Sequence, residues 1–183
     1  MSARIPPLDA PFPADVAPVL GRMMPPGEEP IALFRTFAHH ARLTEALHAW
    51  GAYQLSRELS LGLREREIVI DRTCARCGCA YEWGVHVARF AVRAGLTDDQ
   101  ITSLARGTGA DACWTDERDR LLIEAVDALH TRHDVDDPLW ARLAAAFSAE
   151  QLLDLLMLCG FYHAISFVAR AARLAPEPGS TPL

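Results

Sequence analysis

The chain has 183 residues, half of them hydrophobic and 23% charged, with a formal net charge of −6. That is the profile of one globular domain with a proper core, and the absence of a basic surplus argues against nucleic acid as a partner. All 18 basic residues are arginine, which excludes Schiff-base lysine chemistry and a lysine-bearing phosphate loop.

Residues 1–30 hold eight of the twelve prolines and no sustained apolar period, so they read as an extended arm over the body or over a neighbour. The arm lacks the apolar core of a secretory signal. From Ile31 the pattern turns helical: Ile31, Phe34, Phe37, Ala38 and Ala41 share one face, and Leu43, Leu47, Trp50 and Tyr53 give the buried face of the next helix. A third helix is predicted from Leu63 to about Cys77, broken by Gly78. A fourth runs from about Cys79 to Ala94 and stops at Gly95. Thr97 with Gln100 forms a capping box, and Gly107 and Gly109 mark a loop. Asp116 to His130 is helical again, and Asp137 before Pro138 reads as a cap and first turn. Ser148 with Gln151 opens a long closing helix to about Leu174. Its apolar run from Leu152 to Val168 is interrupted by Asp154 and His163, so it is expected as a core helix rather than a membrane span. The tail, residues 175–183, is expected to be loose. No run of alternating β-branched residues occurs, and the fold class is all-α, with the helical domain over residues 31–174.

Five cysteines, an odd number, point to a reducing cytoplasm. Three fall in the stretch TCARCGCAYEWGVH. If Cys79 begins a helix, then Cys79, Glu82 and His86 share a face, and the dipole lowers the thiol pKa. Glu82 and His86, four apart, are placed to hydrogen-bond, and Glu67 on the preceding antiparallel helix can face the same spot. Two carboxylates, an imidazole and a thiol suffice for proton transfer.

Each residue also has a plainer role. Arg64, Glu65, Arg66 and Glu67 alternate in sign, which by default makes a solvated face. Cys113 and Cys159 read as small hydrophobes. Trp83 and Tyr81 read as packing residues, with the Tyr81 hydroxyl a candidate for a pocket; His39 and His40 read as surface residues, and His163 is undecided. Cys74 and Cys77 form C-x-x-C, but at the end of a helix, away from the dipole that activates such thiols. A zinc set of Cys74, Cys77, Cys79 and His86 lacks the two separated pairs of a strong zinc signal, and a set of Glu67, Glu82 and His86 is weaker still. Neither metal nor cofactor is expected.

The segment REREIVIDRTCARCGCAYEWGVHVARFAVRAGLTDDQI resembles the core of the carboxymuconolactone decarboxylase and alkylhydroperoxidase D (AhpD-like) superfamily. LFRTFAHHARLTEALHAW before it and DERDRLLIEAVDALH after it resemble a less characterised branch, so that the likeness covers roughly residues 30 to 170. It implies an AhpD-like helical bundle, a homo-oligomer (trimer or hexamer) and a small-molecule substrate. In the peroxidase members a glutamate precedes C-x-x-C-x-x-x-H by eleven residues. Here the glutamate is Glu67, the first cysteine Cys79 and the histidine His86, while Glu82 stands at the second, peroxide-attacking cysteine and Tyr81 at an intervening histidine. The C-x-x-C of Cys74 and Cys77 is five residues too early, which leaves these two only as resolving thiols for Cys79.

Three functions stay open. One is acid/base chemistry by Glu67, Glu82 and His86 on a small carboxylated or lactone molecule, as in the decarboxylase members, with Cys79 lining the pocket. The second is thiol peroxidase (peroxiredoxin-like) chemistry through Cys79. The third is a non-catalytic helical oligomer that binds a ligand.

Overall fold

The computed structural model describes residues 2–183, which hold nine helices and no strand. They are α1 Ala17–Met23, α2 Ala32–Phe37, α3 Ala41–Gln54, α4 Leu63–Arg76, α5 Ala80–Phe90, α6 Asp98–Arg106, α7 Glu117–Arg132, α8 Asp137–Ala146 and α9 Ala149–Ala172. The all-α expectation holds. The capping boxes at Thr97 and Ser148 are both formed. The cap of α8 is Asp136, whose carboxylate accepts from the Leu139 N–H, rather than the expected Asp137.

α4 is the hub, packing on α5, α6, α7 and α9. Its residues Arg66 through Cys74 are all buried. A helix buried all round normally lacks charge; this one pairs Arg66, Glu67 and Arg72 and leaves only Asp71 without a partner. Arg72 makes two 2.7 Å bonds to Asp127 of α7, and Arg66 binds Glu67. Of the four alternating charges, Arg66 and Glu67 therefore belong to the core, while Arg64 and Glu65 stay half-buried at its edge, paired with Asp119 and Arg118. α9 is long and apolar enough to cross a membrane, yet it runs against α4, α5, α7 and α8, with Leu155, Leu158 and Ile165 buried.

Gly78, at φ +61°, turns α4 back into α5 in a left-handed conformation that side chains disfavour, and the Cys79 N–H closes the turn on the Cys74 carbonyl at 2.8 Å.

Three expectations need correction. Within the arm, residues 17–23 form α1, whose Val19 and Leu20 join Val16 and Ala38 in a small second core. The stripe Leu43, Trp50, Tyr53 is exposed, and only Leu47 of that set turns inward, because the inner face of α3 carries Thr44, Gln54 and the wall of a cavity. The tail is docked. Trp83 Nε1 donates to the Pro182 carbonyl at 3.2 Å and Thr181 N–H to the Gly84 carbonyl at 3.3 Å. The Glu177 carboxylate accepts from the Ala32 N–H and from the Tyr81 hydroxyl, and that hydroxyl accepts from the Leu33 N–H at 2.9 Å. Ile31, at the N-cap of α2, makes no side-chain cap bond, so these two distant groups satisfy its orphan donors.

The docking depends on Gly84. A Cβ there would lie 2.8 Å from Ser180 Cβ and 2.9 Å from the Thr181 carbonyl oxygen. Gly84→Ala is expected to detach the last residues while leaving the bundle folded, since alanine favours the helix by about 1 kcal/mol. Carboxypeptidase should trim the variant several-fold faster than the wild type. Equal rates would show that the tail is not held there.

Candidate active site

The α4–α5 hairpin sets Glu67 against His86. His86 Nδ1 lies 2.9 Å from Glu67 Oε2, and Arg66 Nε donates to Glu67 Oε1 at 2.8 Å. All three residues are buried. Burial pushes the Glu67 carboxyl up, but the adjoining charges of His86 and Arg66 outweigh it and leave the carboxyl below its usual range. Burial likewise opposes charge on His86, and Glu67, Glu82 and Asp71 together overcome it and raise the imidazole pKa. A carboxylate only accepts, so Nδ1 carries a proton and Nε2 is the working nitrogen.

On the Nε2 side stand two groups. The Tyr162 hydroxyl from α9 is 3.0 Å away, with its ring edge-on to the imidazole. Glu82, one turn before His86, has Oε2 at 3.9 Å, while its Oε1 is buried with no partner. Burial, opposed by His86 and reinforced by Glu177, pushes the Glu82 carboxyl up to about 7. Asp71, one turn beyond Glu67, has both oxygens buried and unpartnered. Burial and then the Glu67 charge push it well up, which favours the neutral acid.

These groups meet a cavity of about 320 Å³ whose wall is mostly apolar, with Leu33, Phe34, Leu47, Phe90, Phe161 and Ile165 around Glu82, His86 and Tyr162. Arg22 and Arg89 also reach it, but each is engaged, by Glu45 at 2.8 Å and Glu28 at 3.0 Å. A mostly apolar pocket with a few convergent polar groups is the usual form of a small-molecule site.

Of the residues singled out by sequence, Glu67, Glu82 and His86 come together as expected. Cys79 does not join them. It precedes α5 as its N-cap, but it makes no cap bond, is fully buried and absent from the cavity wall, and burial pushes its thiol up. Desolvation wins over the helix dipole here. Cys74, also fully buried, is pushed well up, and Tyr81 spends its hydroxyl on α2 and the tail. The zinc set with His86 is not assembled, since both ring nitrogens of His86 are engaged and Cys77 faces His130 instead. Arg66, Asp71 and Tyr162 were not foreseen. Asp71 carried a signal, four residues after Glu67 on one helix, while Tyr162 had none short of the tertiary fold.

All five cysteines are free, and only Cys113 is partly exposed. Under native conditions a thiol reagent is expected to label one cysteine within minutes and the other four only as the protein unfolds. Rapid labelling of Cys79 would contradict this burial.

The model of the carboxymuconolactone decarboxylase family matches residues 41–127. No curated protein matches the chain. Among solved structures, an uncharacterized peroxidase-related protein with an alkylhydroperoxidase AhpD core from Ralstonia eutropha is 18% identical with a TM-score of 0.80, over 98% of each chain. A peroxidase-related protein from Silicibacter is 16% identical with a TM-score of 0.81, over 97% of this chain and 94% of that one. A debrominase solved with 2,3,4-tribromopyrrole is 13% identical with a TM-score of 0.73, over 98% of this chain and 94% of that one. At these identities the structures speak to the fold alone. The matched segment, which holds Glu67, Cys79 and His86, is similar to the carboxymuconolactone decarboxylase family, and the chain shares the fold of the AhpD-core structures.

Proposed function

We propose that the chain is a proton-transfer enzyme acting on a small, largely apolar lactone or carboxylated ring. The observation that carries this reading is the Glu82 carboxyl, poised near 7 with a free buried oxygen on the cavity wall, one turn from an imidazole already oriented by Glu67. A general acid or base works best with a pKa near the operating pH. In a decarboxylation, carbon dioxide leaves and the bonding pair flows into an enolate. The His86 Nε2–H and Tyr162 hydroxyl hydrogen-bond that enolate, and Glu82 returns a proton to carbon and is recharged from solvent. The ring-sized ligand of the debrominase supports a cavity of this size holding one ring. Peroxidase chemistry through Cys79 is less well supported, because that thiol is buried away from the cavity. Self-association belongs to the same proposal, through the exposed Leu153, Met157 and Phe167 of α9.

The test is a panel of small lactones and carboxylates, followed by carbon dioxide release and by deuterium uptake from solvent. Turnover by the wild type should fall about 10²–10⁴-fold in Glu82→Gln and His86→Ala and persist in Cys79→Ser. Turnover that survives both former substitutions and dies with Cys79→Ser would replace this reading by thiol chemistry.

A further inference from the structure

Outside the cavity, three metal-ligating side chains from three helices converge. Cys77 caps α4, His130 lies in the last turn of α7, and His163 sits midway along α9. Their ligand atoms all lie within 4.8 Å of one another. His130 Nδ1 is 3.0 Å from His163 Nε2 and 4.0 Å from Cys77 Sγ. None of the three lines the cavity beside His86.

The tautomer of His163 is set from behind. Its Nδ1 lies 2.8 Å from the Cys159 carbonyl oxygen, one turn earlier in α9. A carbonyl only accepts, so Nδ1 carries the proton and Nε2 presents a lone pair to the cluster. Orienting a ligand imidazole through its other nitrogen is what metal sites generally do. Cys159 Sγ, 3.7 Å from the same Nδ1, stands on the side of the ring away from the cluster and outside the ligand set.

We propose that Cys77, His130 and His163 bind a zinc(II) ion through one thiolate and two imidazoles, with water at the fourth position. Tetrahedral zinc with Zn–N of about 2.1 Å and Zn–S of about 2.3 Å needs N···N near 3.3 Å and N···S near 3.5 Å. The His130–His163 and His130–Cys77 separations, 3.0 and 4.0 Å, differ from these by about half an ångström or less, and the third pair lies within 4.8 Å, so that a small side-chain adjustment closes the set. On binding, the thiol proton passes to solvent and His130 takes the tautomer protonated at Nε2, which frees its Nδ1 lone pair. Cys77 is buried while both histidines are half-buried, so an ion has a way in. The neighbouring cations are occupied. Arg76 pairs with Asp127 at 3.4 Å, and Arg170 Nη1 donates to the Cys77 carbonyl at 2.6 Å. The site would tie α4, α7 and α9 together at one end of the core, which makes it a structural or regulatory centre distinct from the acid/base site.

The full chain, stripped with a chelator, would be titrated with zinc(II) against a chromophoric competitor, and with cobalt(II) under an optical spectrometer. One equivalent of zinc is expected, weakened at least about tenfold in each of Cys77→Ser, His130→Ala and His163→Ala, and unchanged in His86→Ala. Cobalt should give a thiolate charge-transfer band that Cys77→Ser removes, with circular dichroism confirming that the variant is folded. No zinc binding by folded wild type, a cobalt spectrum without a thiolate band, or zinc affinity unaltered in Cys77→Ser and His163→Ala would each overturn the site.

Discussion

Glu82→Gln is expected to gain stability on the wild type as the pH rises through neutrality while removing the proton-transfer activity. Burial raises the folded pKa of Glu82 from 4.5 to about 7. A raised pKa means that the folded state binds the proton more tightly than the unfolded one. The stabilising effect of that proton is complete below 4.5 and is lost as the pH climbs through about 7. The shift corresponds to about 3 kcal/mol, which the wild type forfeits above about pH 8 and the glutamine variant does not. Glutamine brings its own unsatisfied amide, so the signature lies in the pH dependence rather than in the absolute stability. Urea unfolding at about pH 4 and pH 8 should show the variant gaining about 3 kcal/mol on the wild type between the two. A stability difference flat across that range would mean that Glu82 titrates as an ordinary surface carboxylate, and its role as the acid/base would fall with it. A costly ionisable group on the wall of an apolar cavity is what marks functional sites in general.

Glu67→Gln should do the reverse and cost stability. Glu67 is fully buried and serves two cations, with Arg66 Nη2 at 2.7 Å and His86 Nδ1 at 2.9 Å. Its contribution is present above its unfolded pKa of 4.5 and fades as the pH falls through the lower folded value. The contribution of His86 is complete below its unfolded pKa of 6.5 and fades as the pH rises through the higher folded value. The pair is therefore strongest between those two unfolded values. Removing one partner strands the other as an uncompensated buried charge, at a cost of about 3–5 kcal/mol in that window. The His86 imidazole, deprived of the nearest negative charge, should titrate at lower pH by NMR, and turnover should fall together with that shift. A loss under about 1 kcal/mol with an unmoved His86 would show that the dyad neither holds the core nor tunes the imidazole.

Much of this protein was legible from periodicity and caps. Apolar spacing, the capping boxes at Thr97 and Ser148 and the break at Gly78 located the helices, because those signals act over a few residues. The spacing of Glu67, Glu82 and His86 foretold that the three converge, since a helical face and a hairpin partner are nearly local facts.

What only the tertiary structure decided was which groups lose water. The dipole argument for Cys79 was sound locally and failed because packing buries the thiol completely and desolvation dominates. Arg66 and Glu67, expected on a solvated face, are packed into the core, and Arg72 pairs there with Asp127 from 55 positions away. Tyr162 reached His86 from 76 positions away, and the tail found Gly84 from almost a hundred. Cys77, grouped in sequence with Cys74 and Cys79, instead meets His130 and His163, because three helices end or pass at one place. Local spacing fixes where helices begin and which residues share a face. Burial and long-range pairing, which set each group's charge and reach, are properties of the packed chain alone.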